Sequence, residues 1–409
     1  MASIFDFFKT EKRDNGQTFL QNVLGTLSNT GVAVNENSAL TYSAVFACVR
    51  VLCESVASLP IEVIKEDKDG NKSLDKAHPV YKLLARKPNN YMTSYTWRQT
   101  LMANLVLNGN SYFRIIRDGS ARPVALRYIP SENVLVKLNG DEVFYEIKPV
   151  KNKSSVSVKE EGEIIKHEDM LHFLGLGYDG LIGKSVIEVH RDSIGLSVAA
   201  NKYGGAFYGN AATPSGILSH PGKLSKEAAE RLKHSWNSTY GNGPMNAHKT
   251  AILEEGMSFK PVSLNPQDAD FLNTRKFQVT EIARIFRVPP HMIGDLDRAT
   301  FSNIEQQSLD FLTHTLRPYL VGLEEELERK LFRENELDTY SIMFNTNAML
   351  RGDSEARAKY YKDMSSIGVL SINDIRRLEN LNDIGEGGDK HYYALNYAPV
   401  GEQTTVDGE

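Results

Sequence analysis

A chain of 409 residues is too long for one small core and, at ~150 residues per domain, has two or three structural parts. Lysine plus arginine total 47 against 52 acids, a net charge of −5, and 41% apolar with 24% charged residues excludes wholesale disorder, collagen and a membrane-embedded chain. The acidic balance also argues against a protein that grips nucleic acid, because such grip comes from cations that displace phosphate counterions. Cys48 and Cys53 are the two cysteines, and on a helix they point to different faces, so no disulfide framework is expected. The start, MASIFDFFKTEKRDNG, lacks a basic lead and turns charged after Phe8, unlike a secretory signal. No run approaches the ~20 apolar residues that span a bilayer. These features point to a cytosolic chain or part of a particle built inside the cell, with no membrane partner.

Residues 1–35 have weak periodicity and read as a flexible arm, disordered or ordered only by a partner. Val45, Val49, Leu52 and Val56 then mark an amphipathic helix over 41–58, stopped by Pro60. A strand, IEVIKED, turns at Asp69 and Gly70. Helices follow near 78–86 and 94–108, the second with Ser94 as N-cap and Gly109 just past its end. From Ser111 the period becomes two: YFRIIRD, PVALRYIP, VLVKL and EVFYEI read as strands, with Asn139-Gly140 as a type I′ hairpin turn. Helices before a β-rich layer make this an α+β domain.

After Gly183 a single helix of about 24 residues is predicted over 185–210, containing Gly195, Gly204 and Gly205. Next comes a small α/β module: PSGILSH, a helix after Ser225, a GNGP turn, and strands KTAILEE and FKPVSL. A helix over QDADFLNTRKFQVTEIARIFRV stops at Pro289 and Pro290. The loop HMIGDLDRATFS leads into a long helix from Asn303 to Phe332, kinked at Pro318. Its acidic run, Glu324, Glu325, Glu326 and Glu328, reads as a solvated face or a subunit contact. A strand YSIMF, two helices and a polar tail complete the chain.

Short motifs give no chemistry. Gly175, Gly177 and Gly180 have dinucleotide spacing, yet a long helix follows with no second parallel strand or ribose-binding acid. Gly177 to Gly183-Lys184-Ser185 has five residues between the outer glycines where a phosphate loop has four. His167 and His172 are one residue too far apart for a zinc-protease pair and read as a polar turn entering a strand. Arg351-Gly352-Asp353 is short enough to recur by chance, with Asp353 better placed as a helix-start residue. No catalytic, cofactor or metal site is expected.

Five stretches together carry a family resemblance: ALTYSAVFACVRVLCESVASLPIEV, HPVYKLLARKPNNYMTSYTWRQTLMANLVLNGNSYFRI, EIARIFRVPPHMIG, ATFSNIEQQSLDFLTHTLRPYLVGLEEELERKLF and GVLSINDIRRLENLNDIGEGGD. From Ala39 to Asp389 the chain resembles the portal proteins of tailed bacteriophages, in the branch common among long-tailed phages. Val186 stands where that family is expected to have proline. The resemblance implies a portal fold: an α+β wing (36–184 with the strand at 336–352), a two-helix stem (185–210 and 265–288) and a small α/β clip (211–264). It further implies a tunnel loop (289–302), a long proline-kinked helix (303–335), a helical crown (353–395) and a polar tail (396–409). Implied too are a ring, usually dodecameric, at one capsid vertex of the virion, assembled in the host cytoplasm, and a channel for double-stranded DNA. Its partners would be the terminase large subunit, the head-tail adaptor, and the major capsid and scaffold proteins. Asp295, Asp297, Arg298, Thr300 and Asn303 become the candidate channel residues, the two aspartates repelling DNA and Arg298 touching it briefly. The competing readings are a nucleotide-dependent enzyme built on 175–185 and another ring-forming head-tail connector.

Overall fold

A computed structural model describes residues 26–148, 162–210, 216–220, 222, 224–240, 257–261, 267–297, 301–346, 349, 354–379 and 381–392. The chain divides into two units, Met1–Met343 and Phe344–Glu409.

The first unit opens with a hairpin, β1 (Thr26–Leu27) and β2 (Ala33–Val34), followed by α1 (Glu36–Leu40) and α2 (Ser43–Ser58). Residues 26–35, expected to belong to a loose arm, are therefore ordered by the chain itself: Asn29 donates from its backbone N–H (2.9 Å) and Nδ2 (3.0 Å) to Asp192. Next come β3 (Ile61–Glu66), β4 (Lys72–Leu74), α3 (Pro79–Ala85) and α4 (Ser94–Asn108). The N-cap of α4 is Thr93, whose Oγ1 accepts the Thr96 N–H at 3.1 Å, and not Ser94. Ser94 is turned inward, where it donates to Leu84 O and accepts from buried Arg98. Arg98 also donates to Ala57 O at the C-terminus of α2, where a cation meets the negative end of the helix dipole. Burial pushes its pKa down to about 10. Cys48 and Cys53 on α2 are buried and free, and burial pushes both thiols up to about 12.

The period-two region forms β5 (Asn110–Arg117), β6 (Pro123–Ile129), β7 (Val134–Asn139), β8 (Glu142–Ile147), β9 (Ile164–Lys166) and β10 (Met170–Leu174). They make two antiparallel sheets, ordered β10-β5-β6 and β7-β8-β9. Alternation along β5 builds the layers. Phe113 faces α4, with its ring 5.6 Å from that of Trp97, while Tyr112 faces the second sheet, 6.0 Å from Tyr145. Tyr112, Ile129, Tyr145, Ile147, Ile165 and Met170 form the core between the sheets. In the β7–β8 hairpin Asn139 pairs with Glu142, so the turn residues are Gly140 and Asp141. Gly140 alone takes positive φ (62°), the pattern of a II′ turn rather than the expected I′ turn at Asn139-Gly140.

The expected helix over 185–210 is two helices, α5 (Val186–Val189) and α6 (Arg191–Asn210), because His190 (φ −104°, ψ 23°) leaves the helical ladder. The break gives α6 its own N-terminus, where Asp192 holds the hairpin. Then follow β11 (Gly216–Ser219), α7 (Lys226–Tyr240), β12 (Ser258–Pro261), paired with β11, and α8 (Gln267–Ile285). The predicted GNGP turn and KTAILEE strand lie outside the described residues. Next come α9 (Phe301–Asp310), a π-helical segment (Phe311–Leu316), α10 (Arg317–Leu331) and β13 (Tyr340–Phe344), which joins β3 and β4 in a third three-stranded sheet.

The acidic run on α10 is not a solvated face. Glu324 and Glu326 are buried, and Glu324 pairs with Arg317 at 3.1 Å. β10 and β13 are edge strands, whose outer sides face no partner strand. Glu326 Oε1 accepts the His172 N–H of β10 at 3.0 Å, and Glu328 Oε1 accepts the Ile342 N–H of β13 at 2.7 Å. One helix thus covers the open edges of two sheets with two carboxylates. Burial raises the pKa of Glu328, and the Ile342 N–H counters it.

A polar network runs from this contact into the core. His172 stacks on Tyr112 at 4.3 Å, with Nδ1 3.3 Å from Tyr145 Oη and Nε2 3.1 Å from Asn110 Oδ1. Asn110 Oδ1 also accepts the Gly183 N–H, so His172 Nε2 donates to it and Nδ1 accepts the tyrosine proton. Tyr145 Oη in turn meets His167 Nδ1 at 3.3 Å. Lys330, also buried, donates Nζ to His167 O.

The second unit contains α11 (Ser354–Ser366) and α12 (Ile372–Leu378). Ser371 and Asp374 form a capping box on α12. Asn373, fully buried, donates to Gly385 O and Asp389 and accepts the Ile384 N–H, which fixes the GEGGD loop. Asp353 lies outside the described residues.

Candidate functional site

The candidate loop begins where α8 ends. Arg287 adopts φ 55°, a left-handed conformation that usually calls for glycine. Its N–H donates to Arg284 O at 3.1 Å, and the Val288 N–H donates to Ala283 O at 2.9 Å, the paired bonds of a Schellman cap. Pro289 and Pro290 follow, then a 3₁₀ turn over Pro290–Ile293 closed by Gly294 at φ 88°. Thr315 Oγ1, from the π segment, donates to Arg287 O at 2.7 Å.

Two of the candidate channel residues are placed by contacts to α8. Asp297 Oδ2 lies 2.7 Å from Lys276 Nζ, and this hydrogen bond and charge raise the lysine pKa. Thr280 Oγ1 donates to Asp295 at 3.5 Å, and Asp295 accepts the Asp297 N–H at 3.3 Å. Arg298 and Thr300 lie outside the described residues, and Asn303 stands in the first turn of α9. His291 Nδ1 is 3.0 Å from Gln307 Oε1, tying the loop to α9. Pro318 is the second residue of α10, and the helix passes through it on the π segment: the Arg317 N–H donates to Leu312 O, five residues back. In a regular α-ladder the proline ring would meet the carbonyl four residues earlier. Lys276, Arg287, His291 and Thr315 escape sequence reasoning because their roles depend on contacts between separate helices.

The glycines of 175–185 have a packing role. The Gly175 N–H donates to Gly109 O at 2.8 Å, and a Cβ on Gly183 would lie 2.0 Å from that same Gly109 O. Gly109, at φ 73°, would bring a Cβ within 2.4 Å of the Lys184 carbonyl carbon. Asn110 binds Gly183 from both sides, accepting its N–H and donating to its O, each at 2.8 Å. The N–H groups of Leu181 and Ile182 go to Asp179, and that of Lys184 to Leu176 O. With these amides committed to the chain, the loop cannot converge them on a phosphate. Purified protein titrated with ATP is expected to show no saturable binding. Saturable binding abolished by Lys184→Ala would reinstate the nucleotide reading. Among the described residues no His, Cys, Asp and Glu cluster could hold a metal ion, and no helix is long and apolar enough to cross a membrane.

The family model described as phage portal protein matches residues 43–380. The chain belongs to the phage portal protein family. It is similar to the portal protein of Enterobacteria phage HK97, 33% identical over 372 residues, covering 90% of this chain and 85% of that one. The probable portal protein of Streptomyces phage phiC31 is 32% identical over 389 residues, covering 93% and 83%. Among solved structures, the neck of a native gene transfer agent particle computed with C12 symmetry matches with a TM-score of 0.55 at 22% identity, covering 89% of this chain and 99% of that one. The crystal structure of an HK97-family phage portal protein from Corynebacterium diphtheriae matches with a TM-score of 0.52 at 16% identity, covering 77% and 96%. At such identities the two structures establish the portal fold alone.

Proposed function

We infer that this chain is the subunit of a phage portal, a homo-oligomeric ring at the head-tail neck of a virion whose channel passes double-stranded DNA. The observation that carries this is the family match over 43–380, joined to 33% and 32% identity with two phage portal proteins over 85% and 83% of their lengths. A closed ring needs a head-to-tail interface, in which one face of a subunit complements a different face of its neighbour. Twelve copies is the copy number we propose, with assembly in the host cytoplasm and no enzymatic step in the subunit itself.

The finer assignments belong to the same proposal. Residues 36–184 with the strand near 340 form the wing, 185–210 and 265–288 the stem, and 353–395 the crown. The clip at 211–264 meets the terminase large subunit during packaging and the head-tail adaptor afterwards, while capsid and scaffold proteins surround the ring. Loop 289–302 faces the channel. DNA carries one charge per ~1.7 Å, so a conduit must stay weakly attractive to let it slide. Asp295 and Asp297 supply repulsion, moderated by Lys276 at 2.7 Å from Asp297, and Arg298 supplies brief contacts.

Negative-stain imaging of the purified protein is expected to show rings with a central hole. A compact monomer under every assembly condition would overturn the reading. Arg298→Glu is expected to lower packaged or retained DNA severalfold while rings still form. Unchanged packaging, retention and ejection would remove the role given to Arg298.

A further inference from the structure

Two apolar surfaces stand at opposite ends of α4. At its C-terminal end, loop 175–185 is tied down by the Gly175 N–H, which donates to Gly109 O at 2.8 Å, and by Ser185 Oγ, which donates to Leu107 O at 2.5 Å. Asp179 accepts the Leu181 and Ile182 N–H groups, and Gly177 has no room for a side chain against Ile182 O. This fixed loop presents Leu176 and Tyr178, each 88% exposed, the most exposed large apolar side chains among the described residues. Lys184 Nζ stands 5.8 Å from the centre of the Tyr178 ring. Neither side chain contributes burial to its own subunit, and the rigidity of the loop lowers the entropy lost when a second surface covers them. At the N-terminal end of α4, Tyr91 and Tyr95 are exposed as well, at 65% and 41%. The 15 residues of the helix, at 1.5 Å each, set the two ends about 22 Å apart.

The charges at the two ends are opposite. Residues 82–95 contain Lys82, Arg86 and Lys87, all exposed, and no acid. Residues 174–183 contain Asp179 and no base, and the two backbone N–H groups that bind Asp179 hold its carboxyl below the usual carboxylate range, so it is ionised at neutral pH. We propose that loop 176–182 is a knob that seats on the surface formed by Tyr91, Tyr95 and these three cations in the next copy of this chain. The proposal rests on the ring reading above. A ring needs one face that complements a different face of the neighbour, and a knob that met only its own image would stop at a pair. The knob and the tyrosine surface, apart in space and opposite in charge, satisfy that need: each copy places its knob on one neighbour and offers its tyrosines to the other. Aromatic side chains buried at the centre of such a contact carry most of its energy. Asp179, facing the cations, sets the orientation and speeds the encounter.

The test is assembly of the purified full chain, followed by sedimentation velocity over a range of protein concentrations. Leu176→Ser with Tyr178→Ser is expected to raise the concentration at half-assembly at least tenfold, and Tyr91→Ser with Tyr95→Ser to do the same. Lys87→Glu is expected to raise it about threefold. All four apolar side chains are exposed, so both double variants should unfold at the parent's urea midpoint. Neither double variant closes a ring alone, but an equimolar mixture is expected to form mixed dimers at least fivefold above the dimers of either one, because the intact tyrosines of the first receive the intact knob of the second. The assignment is overturned if either double variant assembles at the parent's concentration, if Lys87→Glu promotes assembly, or if the mixture holds no more dimer than its components. A parent that forms no ring overturns the ring reading and the knob with it, whereas rings from the parent and from both double variants alike remove the knob and leave the portal reading standing.

Discussion

Replacing Glu326 by alanine is expected to cost about 3 kcal/mol of stability in the first unit, measured by urea unfolding. The carboxylate does three things at once. It caps the His172 N–H on the edge of β10, accepts from Arg329 at 2.5 Å, and places a negative charge beside Lys330, whose pKa burial pushes down to about 8. Alanine leaves a buried N–H without an acceptor and removes the carboxylate whose charge most favours the buried ammonium of Lys330. Breaking a buried ionic contact from one side costs more than the contact contributes, because the surviving partner stays desolvated. Glu326→Gln keeps the acceptor oxygen and should recover more than half of the loss. Glu325, one residue away but exposed, should change stability by less than ~0.5 kcal/mol as alanine. Equal effects at 325 and 326, or a loss at 326 below ~0.5 kcal/mol, would show that the edge of β10 does not need this carboxylate.

This contact also shows what the sequence could and could not reveal. The strands from β5 to β8 were legible because their period of two reflects a local fact, that alternate side chains face opposite layers. The amphipathic helix through Val45, Val49, Leu52 and Val56 was legible for the same kind of reason, and all four are buried. Capping and turn chemistry were half legible. Ser94 and Asn139 carried the right residue type, but neighbouring Thr93 takes the cap and Gly140 begins the turn, since a one-residue choice is settled by what each side chain meets in three dimensions. The solvated-face reading of the acidic run failed. Four glutamates in five residues suit water on composition alone, and nothing local says that two sheet edges lie beneath them. The hairpin at 26–35 and the break at His190 share this origin, because Asp192 pairs with Asn29 across 163 positions of sequence. Of the candidate loop, the prolines and Gly294 mark its place, whereas the left-handed Arg287 and the π segment follow from packing.

Stability is expected to fall as pH drops from about 6.5 toward 4.5, by about 2–3 kcal/mol through His172 alone. His172 is 6% exposed, and burial, with lesser repulsion from His167, Lys330 and Arg329, pushes its pKa down to about 3. Its hydrogen bonds favour the neutral ring too, since Nδ1 accepts from Tyr145 while Nε2 donates to Asn110. The folded pKa therefore lies below the unfolded value near 6.5. Below pH 6.5 the unfolded chain binds a proton that the folded chain refuses, so this stabilisation is complete above that value and is lost progressively toward pH 3. His167, held near 4 by burial and by the same two cations, adds in the same direction, reduced by its partial exposure to solvent. Lys330 does not contribute to the slope in this window, because its depressed pKa of about 8 concerns the range above pH 8. His172→Gln keeps a polar side chain facing Asn110 and removes the titration, so its stability should depend on pH much less steeply between 6.5 and 4.5. Equal slopes for parent and variant, from urea midpoints across that range, would place the acid sensitivity elsewhere. Because Asn110 joins His172 to Gly183, protonation should first loosen the crossing of 109–110 with 175–185, visible as faster hydrogen exchange there before the rest of the unit unfolds.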